Sequence, residues 1–600
     1  MDHSGSPGSV LSRSWTPGLL RKRSVGILSS RHRGQTEIEG GAHTFWSWRS
    51  MPFSQTALSY LTAWDLGCVI GTLITIALFF TVLSRVTKEI HISYDTEAIV
   101  ILKGTIRVHG SIVLFGKTEV KAFLGIPYAE QPLSNYRFRK PSPTFLPEDI
   151  NATENPASCT QPTHPDSGVL TKEDCLTLNV WTPKADCDDP FGECQNKTVL
   201  LFLHGGFFQV GSNSAVDHDG LYLSALGNVV VVVPNYRLGA LGFLNYGTDE
   251  APGNAGLYDQ LQAILWTKAN IADFGGDPTR IVLLGHGAGA SSVGYHLPAA
   301  IKEAGVQRAI LMSGSPLVKY PDNKASARSK AEQLAGIFRC PLQPRTMLAC
   351  LREVPASNLS DPTAYRESPM PLFFPTLQNF SLPSDMGRQV EQQDNPPTGM
   401  DILLGFVEDE GTLLVSAFLH YFKTSDADPD LLQCISSSLL EAVGFSKASA
   451  GLISNRYIEG FGGSRELWKE ELVADIFVTC PVIYYAEHLA SLGNNVFTYF
   501  VGRLRPSKTS FGVQHFYVIQ MLFGYQFVYF RPREGHALSH QVIDIFTGFA
   551  KGQRSNRTRK ILGDVYFLTI GPLQEASEES DGFYSRKDQC DFLKEHFMRQ

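Results

Sequence analysis

Short runs of apolar residues alternate with helical patterns through most of this chain, and they constrain its fold more than any other feature. Thr198–Leu203 and Val229–Val233 are almost entirely apolar, which is typical of strands buried on both faces of a sheet. A helix capped by Asn254 is predicted over 254–273, before a strand at Arg280–Leu284. Further strands are predicted at Arg308–Met312, Asp401–Gly405 and Asn495–Val501. This alternation predicts one large, doubly wound, mainly parallel α/β sheet.

The strand that includes Leu284 leads into a glycine-rich turn, Gly285–Gly289, and then into a new helix. In α/β-hydrolases this turn has the sequence Gly-x-Ser-x-Gly, and its serine is the nucleophile. Gly287 occupies the serine position here. Glycine adopts a positive φ readily, so the replacement suits the turn but removes the attacking side chain. A phosphate-binding loop is disfavoured, because such a loop follows the first strand of a βαβ unit.

Several ordered stretches resemble the cholinesterase/carboxylesterase family of α/β-hydrolases. They are Phe123–Ala129, Glu173–Trp181, Asn235–Gly239 and the segment from Gly253 to Pro278. The resemblance covers residues 95–600 and implies one α/β-hydrolase domain. It also implies that Glu410 corresponds to the acid of the catalytic triad and His515 to its base. With Gly287 in the nucleophile position, two of the three triad members remain.

The resemblance also implies a changed oxyanion site. The corresponding residues are Gly205, Gly206, Phe207 and Ala288. The family has a glycine where this chain has Phe207, and a bulky residue is not expected to hold the same approach to a substrate oxygen. Loss of the nucleophile alone costs on the order of 10⁶ in rate, and each lost oxyanion donor about 10²–10³. Ser291 and Ser292 lie one turn into the following helix and are not expected to replace the nucleophile.

We therefore expect a chain that is not an enzyme and that has no metal and no cofactor. Glu410 and His515 are then expected to form a buried hydrogen-bonded pair that is kept for packing. The loop between Cys159 and Cys175 contains no aromatic residue, so recognition of choline by stacking is not expected. A net charge of −7 makes nucleic acid a poor partner.

Cysteines and glycosylation sequons point to an oxidising, extracellular compartment for residues 95–600. The short spacings favour the pairs Cys159–Cys175, Cys340–Cys350 and Cys187–Cys194, the last an extra loop of this chain, and the resemblance implies Cys480–Cys590. No Cys/His cluster has the spacing of a zinc site. The five sequons begin at Asn151, Asn196, Asn358, Asn379 and Asn556. All of these features follow residue 84, and such features are typical of secreted or cell-surface domains.

The 19 uncharged residues of Leu66–Ser84 are long enough to cross a bilayer core of about 30 Å as a helix. They predict a transmembrane signal-anchor helix between a disordered cytoplasmic tail at 1–65 and a juxtamembrane stalk at 85–94. A buried core helix and a cleaved signal peptide are the alternatives. The late start argues against a signal peptide, although initiation at Met51 would weaken that objection. The tail contains a cluster of basic residues, Arg21, Lys22, Arg23, Arg31 and Arg33. This basic cluster is either solvated or attracted to anionic lipid.

The resemblance extends to family members that are not enzymes. Neuroligins replace the nucleophile and act as adhesion receptors, and neurotactin has a cytoplasmic tail, one span and an external esterase-like domain. By this resemblance we expect a single-pass type II plasma-membrane protein that binds an extracellular or cell-surface protein as an adhesion or recognition receptor. The alternatives are a trafficking or small-ligand-binding module and a weak carboxylic-ester hydrolase with another nucleophile.

A homodimer is expected at the C-terminal helix, because relatives pair two late helices of each subunit in a four-helix interface. Tyr584–Gln600 is predicted to be the C-terminal helix, with Phe592, Leu593 and Phe597 on one face. Ser446–Ile458 is predicted to be its companion. Packing of both helices on their own core is the alternative.

Overall fold

The computed structural model describes the larger part of residues 96–597. The described residues are 96–162, 169–184, 196–318, 324–360, 373–376, 398–422, 439–441, 443, 445–460, 467–503, 513–529, 533–553, 558–562, 566–572 and 582–597. The predicted tail, transmembrane helix and stalk lie outside these residues. So do Asn379, Asn556 and the predicted Cys187–Cys194 pair.

Seventeen strands occur in the described residues. They are β1 (Thr96–Leu102), β2 (Ile106–Phe115), β3 (Thr118–Pro127), β4 (Asp149–Asn151), β5 (Ser158–Cys159), β6 (Thr171–Lys172), β7 (Thr177–Pro183), β8 (Lys197–Leu203), β9 (Val230–Pro234), β10 (Asn245–Thr248), β11 (Ala251–Pro252), β12 (Gly276–His286), β13 (Arg308–Met312), β14 (Asp401–Val407), β15 (Asn495–Arg503), β16 (Thr558–Leu562) and β17 (Tyr566–Pro572). Every strand predicted from an apolar run is confirmed, with ends shifted by a few residues.

Thirteen of these strands form one sheet, in the order β1-β2-β3-β7-β9-β8-β12-β13-β14-β15-β17-β16, with β4 beside β2. The six strands from β9 to β15 in this order are parallel to their neighbours. The strands on both sides of this centre are largely antiparallel. The prediction of a mainly parallel sheet is therefore right for the centre, and the antiparallel margins are an addition. Short connections, such as those joining β1, β2 and β3, favour antiparallel pairing because a parallel crossover needs a dozen or more residues.

Fifteen α-helices are described around the strands. They are α1 (Leu221–Gly227), α2 (Gly239–Phe243), α3 (Ala255–Asn270), α4 (Ala288–Ala304), α5 (Lys324–Ile337), α6 (Pro344–Glu353), α7 (Ala356–Ser360), α8 (Gly411–Phe422), α9 (Lys447–Gly460), α10 (Leu467–Ala474), α11 (Cys480–Ser491), α12 (Tyr517–Leu522), α13 (Tyr525–Tyr529), α14 (Arg533–Ala550) and α15 (Lys587–Phe597). A π-helical turn, Asp475–Thr479, joins α10 to α11.

The central strands are buried on both faces, as their uninterrupted apolar sequences predict. In β8, Val199, Leu201 and Leu203 belong to one apolar cluster. Leu200 and Phe202 belong to a second apolar cluster. Because side chains alternate between the two faces of a strand, the two clusters lie on opposite faces of the sheet. This arrangement is the doubly wound architecture.

Asn254 does not cap α3 in the predicted way. It precedes the helix with φ of +56° and makes no side-chain capping bond. Its side chain instead accepts a hydrogen bond from the Thr376 N–H at 2.7 Å and donates one to the Thr376 carbonyl at 2.7 Å. The asparagine therefore ties a distant segment to the start of α3, which a local capping rule cannot reveal.

Among the described residues, one continuous helical stretch is long and apolar enough to cross a membrane, Trp468–Ser491. Of its most apolar window, 89% is buried inside the domain. This burial is typical of a core helix.

Candidate functional site

The sharp turn between β12 and α4 is centred on Gly287. Its φ is +55°, a conformation that costs non-glycine residues roughly 1–3 kcal/mol. A Cβ atom at this position would lie 3.2 Å from His515 Nε2, and its only other contact within 4 Å would be a second atom of the same ring. A small side chain at the turn would therefore point at the predicted base, and the His515 ring would have to move by a few tenths of an ångström to admit it.

Close backbone packing fixes the position of this turn. A Cβ atom at Gly289 would lie 1.9 Å from the Leu203 carbonyl oxygen at the end of β8. The Gly287 N–H donates to the Met312 carbonyl of β13 at 2.9 Å. The turn is thus held by both neighbouring strands, and its second flanking glycine is required by contact with β8.

Glu410 and His515 come together as the sequence predicts, although 105 residues separate them. Glu410 follows β14, and His515 lies before α12. The His515 Nδ1 forms a short hydrogen bond with Glu410 Oε2. Glu410 is completely buried, and its Oε1 accepts the Val407 N–H at 2.9 Å. The carboxylate therefore orients the imidazole, leaving Nε2 toward Gly287.

His286, directly before the turn, was not identified from the sequence. Its Nε2–H donates to the His515 carbonyl at 2.8 Å, which ties β12 to the segment that carries the base. Burial, followed by the nearby His515 ring, lowers the pKa of His286 well below its usual value, so this imidazole is neutral. Its position next to Gly287 was the one available signal, and position alone does not indicate a hydrogen bond to a residue 229 positions away.

The oxyanion loop keeps an unusual backbone despite its bulky residues. Phe207 and Phe208 have φ of +57° and +60°, in the left-handed region that favours glycine. The Phe207 ring lies 5.9 Å from Phe374 and 5.7 Å from Phe477, measured between ring centroids. Phe208 is fully buried. Phe207 is therefore part of an aromatic cluster beside Gly206, and strain accompanies this packing.

The two serines of α4 have their hydroxyls engaged elsewhere. Ser291 Oγ donates to the Ser315 carbonyl at 2.8 Å, and Ser292 Oγ donates to the Ala288 carbonyl at 3.0 Å. Both residues are completely buried. Both hydroxyls are therefore engaged with carbonyl acceptors.

The three predicted disulfides that lie within the described residues are all formed: Cys159–Cys175, Cys340–Cys350 and Cys480–Cys590. The last joins the start of α11 to α15 across 110 residues. Asp475 lies near this bond, but the two sulfurs beside it are not free to act as metal ligands. Of the predicted glycosylation sites in the described residues, Asn151, Asn196 and Asn358 are all exposed.

Some residues of the stretches that carry the resemblance form buried ion pairs in the described domain. Arg237 pairs with Asp259 through two hydrogen bonds of 2.7 and 2.6 Å, and both side chains are buried. Arg137 pairs with Glu173 through two further bonds of 2.5 and 2.6 Å. Buried pairs of this kind are costly to break because one charge is left without a partner. These two ion pairs therefore stabilise the fold.

The site can hold a proton and orient an imidazole, but Gly287 offers no atom that could form an acyl-enzyme bond. A Glu–His pair beside a glycine at a strand–turn–helix elbow, inside a parallel-centred sheet, fits the α/β-hydrolase fold.

Comparison with known proteins agrees with this class. The model of the carboxylesterase family matches residues 96–577. Acetylcholinesterase-1 of Trittame loki is 32% identical over 537 residues, covering 80% of this chain and 91% of that protein. The cholinesterase of Mus musculus is 33% identical over 549 residues, covering 84% of this chain and 88% of that protein. The chain belongs to the carboxylesterase family.

Proposed function

We propose that this chain is a catalytically inactive member of its family and acts as an adhesion or recognition receptor at the cell surface. In this proposal, Leu66–Ser84 anchors a type II plasma-membrane protein, and residues 95–600 bind an extracellular or cell-surface protein. The single observation that supports inactivity most strongly is the geometry at Gly287. The base is oriented toward a position that has no side chain.

Two further features of the site support the same proposal. Phe207 replaces a small residue in the oxyanion loop and contacts other aromatic rings. The neighbouring Ser291 and Ser292 hydroxyls are bonded to carbonyls. Loss of the nucleophile alone costs on the order of 10⁶ in rate. An ester hydrolase built on this turn would need a different attacking group.

Inactivity is tested by labelling the purified full-length protein with a fluorescent organophosphate that reacts with activated serines. We expect no stoichiometric label, and an active cholinesterase serves as the positive control. A label mapped by mass spectrometry to Ser291 or Ser292 would contradict the proposal and favour a weak hydrolase.

Receptor function is tested by mixing cells that express the full-length chain with differently coloured cells, and by proximity labelling of surface proteins at the contacts. We expect the chain to recruit a defined surface protein. The variant Gly287→Ser is the matched control, because it alters the turn and leaves the surface unchanged. Equal recruitment by parent and variant is expected, whereas recruitment that depends on Gly287 would favour a small-ligand-binding module.

A further inference from the structure

A cavity of about 220 Å³ lies far from the Gly287 turn, at the opposite end of the parallel strands. It is lined by Asn196, Lys197, Thr198, Asn228, Arg280 and Lys551. Lys197 begins β8 and Leu203 ends it beside the turn. At about 3.3 Å per residue, the strand separates these ends by about 20 Å. The cavity is therefore independent of the hydrolase-like site.

Among the described residues that line this cavity, three are basic and none is acidic. Arg280 is held by Asp277 at 2.7 Å and by the carbonyl of Asn196. Lys551 Nζ donates to the Gly227 carbonyl at 2.6 Å, which fixes its ammonium group at the end of α1. An ammonium has three N–H donors, so this bond leaves two for other acceptors.

The nearby charge of Lys197 disfavours the charged form of Lys551. Partial burial lowers the pKa of Lys551, and the nearby charge of Lys197 lowers it further, against an opposing contribution from Asp544. A bound anion would be attracted to both ammonium groups and would offset their mutual repulsion.

Thr198 supplies a polar atom that needs a partner. The residue is 2% exposed, and its Oγ1 has no hydrogen-bond partner within the part of the chain that the structure describes. An unpaired buried hydroxyl is unfavourable, and such atoms call for an explanation such as a bound ion. Thr198 also lines the cavity, so its hydroxyl is a candidate donor to a ligand bound there.

We propose that this cavity binds a tetrahedral oxyanion, the sulfate or phosphate group of a free ion or of a saccharide ester. Lys197 and Lys551 would donate to its oxygens, and the Thr198 hydroxyl would donate to a further one. A tetrahedral group presents oxygens in more directions than a carboxylate, which suits donors on different elements of the lining. The small volume suits one such group or one modified sugar ring.

The test measures thermal unfolding of the full-length protein with increasing sodium sulfate or sodium phosphate. The parent and all variants carry Asn196→Gln, because Asn196 lines the cavity and Thr198 completes its glycosylation sequon. Sodium chloride at matched ionic strength is the baseline. Sulfate stabilises folded proteins in general because it is excluded from their surfaces. The readout is therefore a saturable rise in the unfolding temperature that the parent protein shows and the cavity variants lack.

Lys551→Gln and Thr198→Val are expected to weaken the apparent affinity for either anion by about 10-fold or more. Lys551→Arg keeps the charge and should keep most of the affinity. Lys117→Gln, which changes an exposed lysine in the turn between β2 and β3, is the matched control and should bind like the parent. Thr198→Val preserves side-chain volume and should not lower the unfolding temperature without ligand. This variant therefore tests anion binding even if the lysine variant folds poorly.

Equal shifts in the parent and in both Lys551→Gln and Thr198→Val would overturn the proposal. Acetate as effective as sulfate would also overturn it, because the site would not select a tetrahedral group. A sulfated disaccharide distinguishes the two sources. Tighter binding of the disaccharide than of inorganic sulfate identifies a saccharide ester as the ligand, whereas exclusion of the disaccharide with retained ion binding identifies a free ion.

Discussion

Restoring a serine at the turn is the most direct test of why this domain should be inactive. In Gly287→Ser the new Cβ would lie 3.2 Å from His515 Nε2 and would meet no other residue within 4 Å. The pair of Glu410 and His515 is already in place. The serine would have to adopt φ near +55°, at a cost of roughly 1–3 kcal/mol. A loss of stability is therefore expected, and the triad is geometrically complete once the His515 ring shifts by a few tenths of an ångström.

We nevertheless expect Gly287→Ser to restore little ester hydrolysis, because Phe207 is unchanged. A bulky residue at this position crowds the approach of the substrate oxygen to the loop N–H groups. Each oxyanion donor that fails to engage costs about 3–4 kcal/mol of transition-state stabilisation. The double variant Gly287→Ser with Phe207→Gly should therefore exceed the single variant by at least about 10²-fold.

The assay is hydrolysis of a small activated acetate ester by each purified variant, with active serines counted by organophosphate burst titration. Phe207→Gly alone is the matched control, because it opens the loop without supplying a nucleophile. Adding His515→Ala to the double variant measures the background. Equal rates for the single and double variants would refute the reasoning about Phe207.

Three further predictions concern the domain and the proposed membrane anchor. Glycosidase treatment of intact cells should lower the mass of the full-length chain, and a chain that is glycan-free and protected from external protease would contradict the type II topology. If the protein is a homodimer, Leu452→Glu, which changes a side chain 59% exposed on α9, and Phe592→Glu on α15 should each convert it to monomers in sedimentation measurements. Arg456 of α9 lies 4.4 Å from the Phe592 ring in the same chain. A monomeric parent would therefore mean that α9 and α15 pack only on each other. Burial is the main cause that raises the pKa of Glu471 to about 7. Because the folded state then keeps a proton that the unfolded state releases, the free energy of unfolding should fall as pH rises from about 4.5 to 7. Glu471→Gln should reduce this fall when unfolding by urea is measured at several pH values.

The centre of the fold could be predicted from the sequence because burial on both faces produces uninterrupted apolar runs. The strands β8, β9, β12, β13, β14 and β15 all have this signature. The margins could not be predicted in this way, because strands such as β2 are only half-buried and contain charged residues. Their signal is a weaker alternation, as in Ile106, Arg107, Val108 and His109.

The site was predictable as a set of residue identities and not as a geometry. The pairing of Glu410 with His515 followed from the resemblance, because chain order alone does not bring residues together. The left-handed backbone of Phe207 runs against the preference of its residue type, so local rules would have excluded it. The bonds of Asn254 to Thr376 and of His286 to His515 join segments more than 100 residues apart, and local pattern does not report such contacts.

Retention of Glu410 and His515 is weak support for catalysis, because the same contacts hold the domain together. Glu410 is completely buried and accepts hydrogen bonds from His515 and from Val407 at the end of β14. Replacing either partner would leave a buried polar group unpaired, which costs about 1–3 kcal/mol, and more when the group is charged. Gly287 has no side chain that could make such hydrogen bonds, and a glycine at this positive φ relieves backbone strain. If the proposed inactivity is right, a glycine at the turn is a change that the fold tolerates well, whereas the buried contacts of Glu410 and His515 favour keeping both residues.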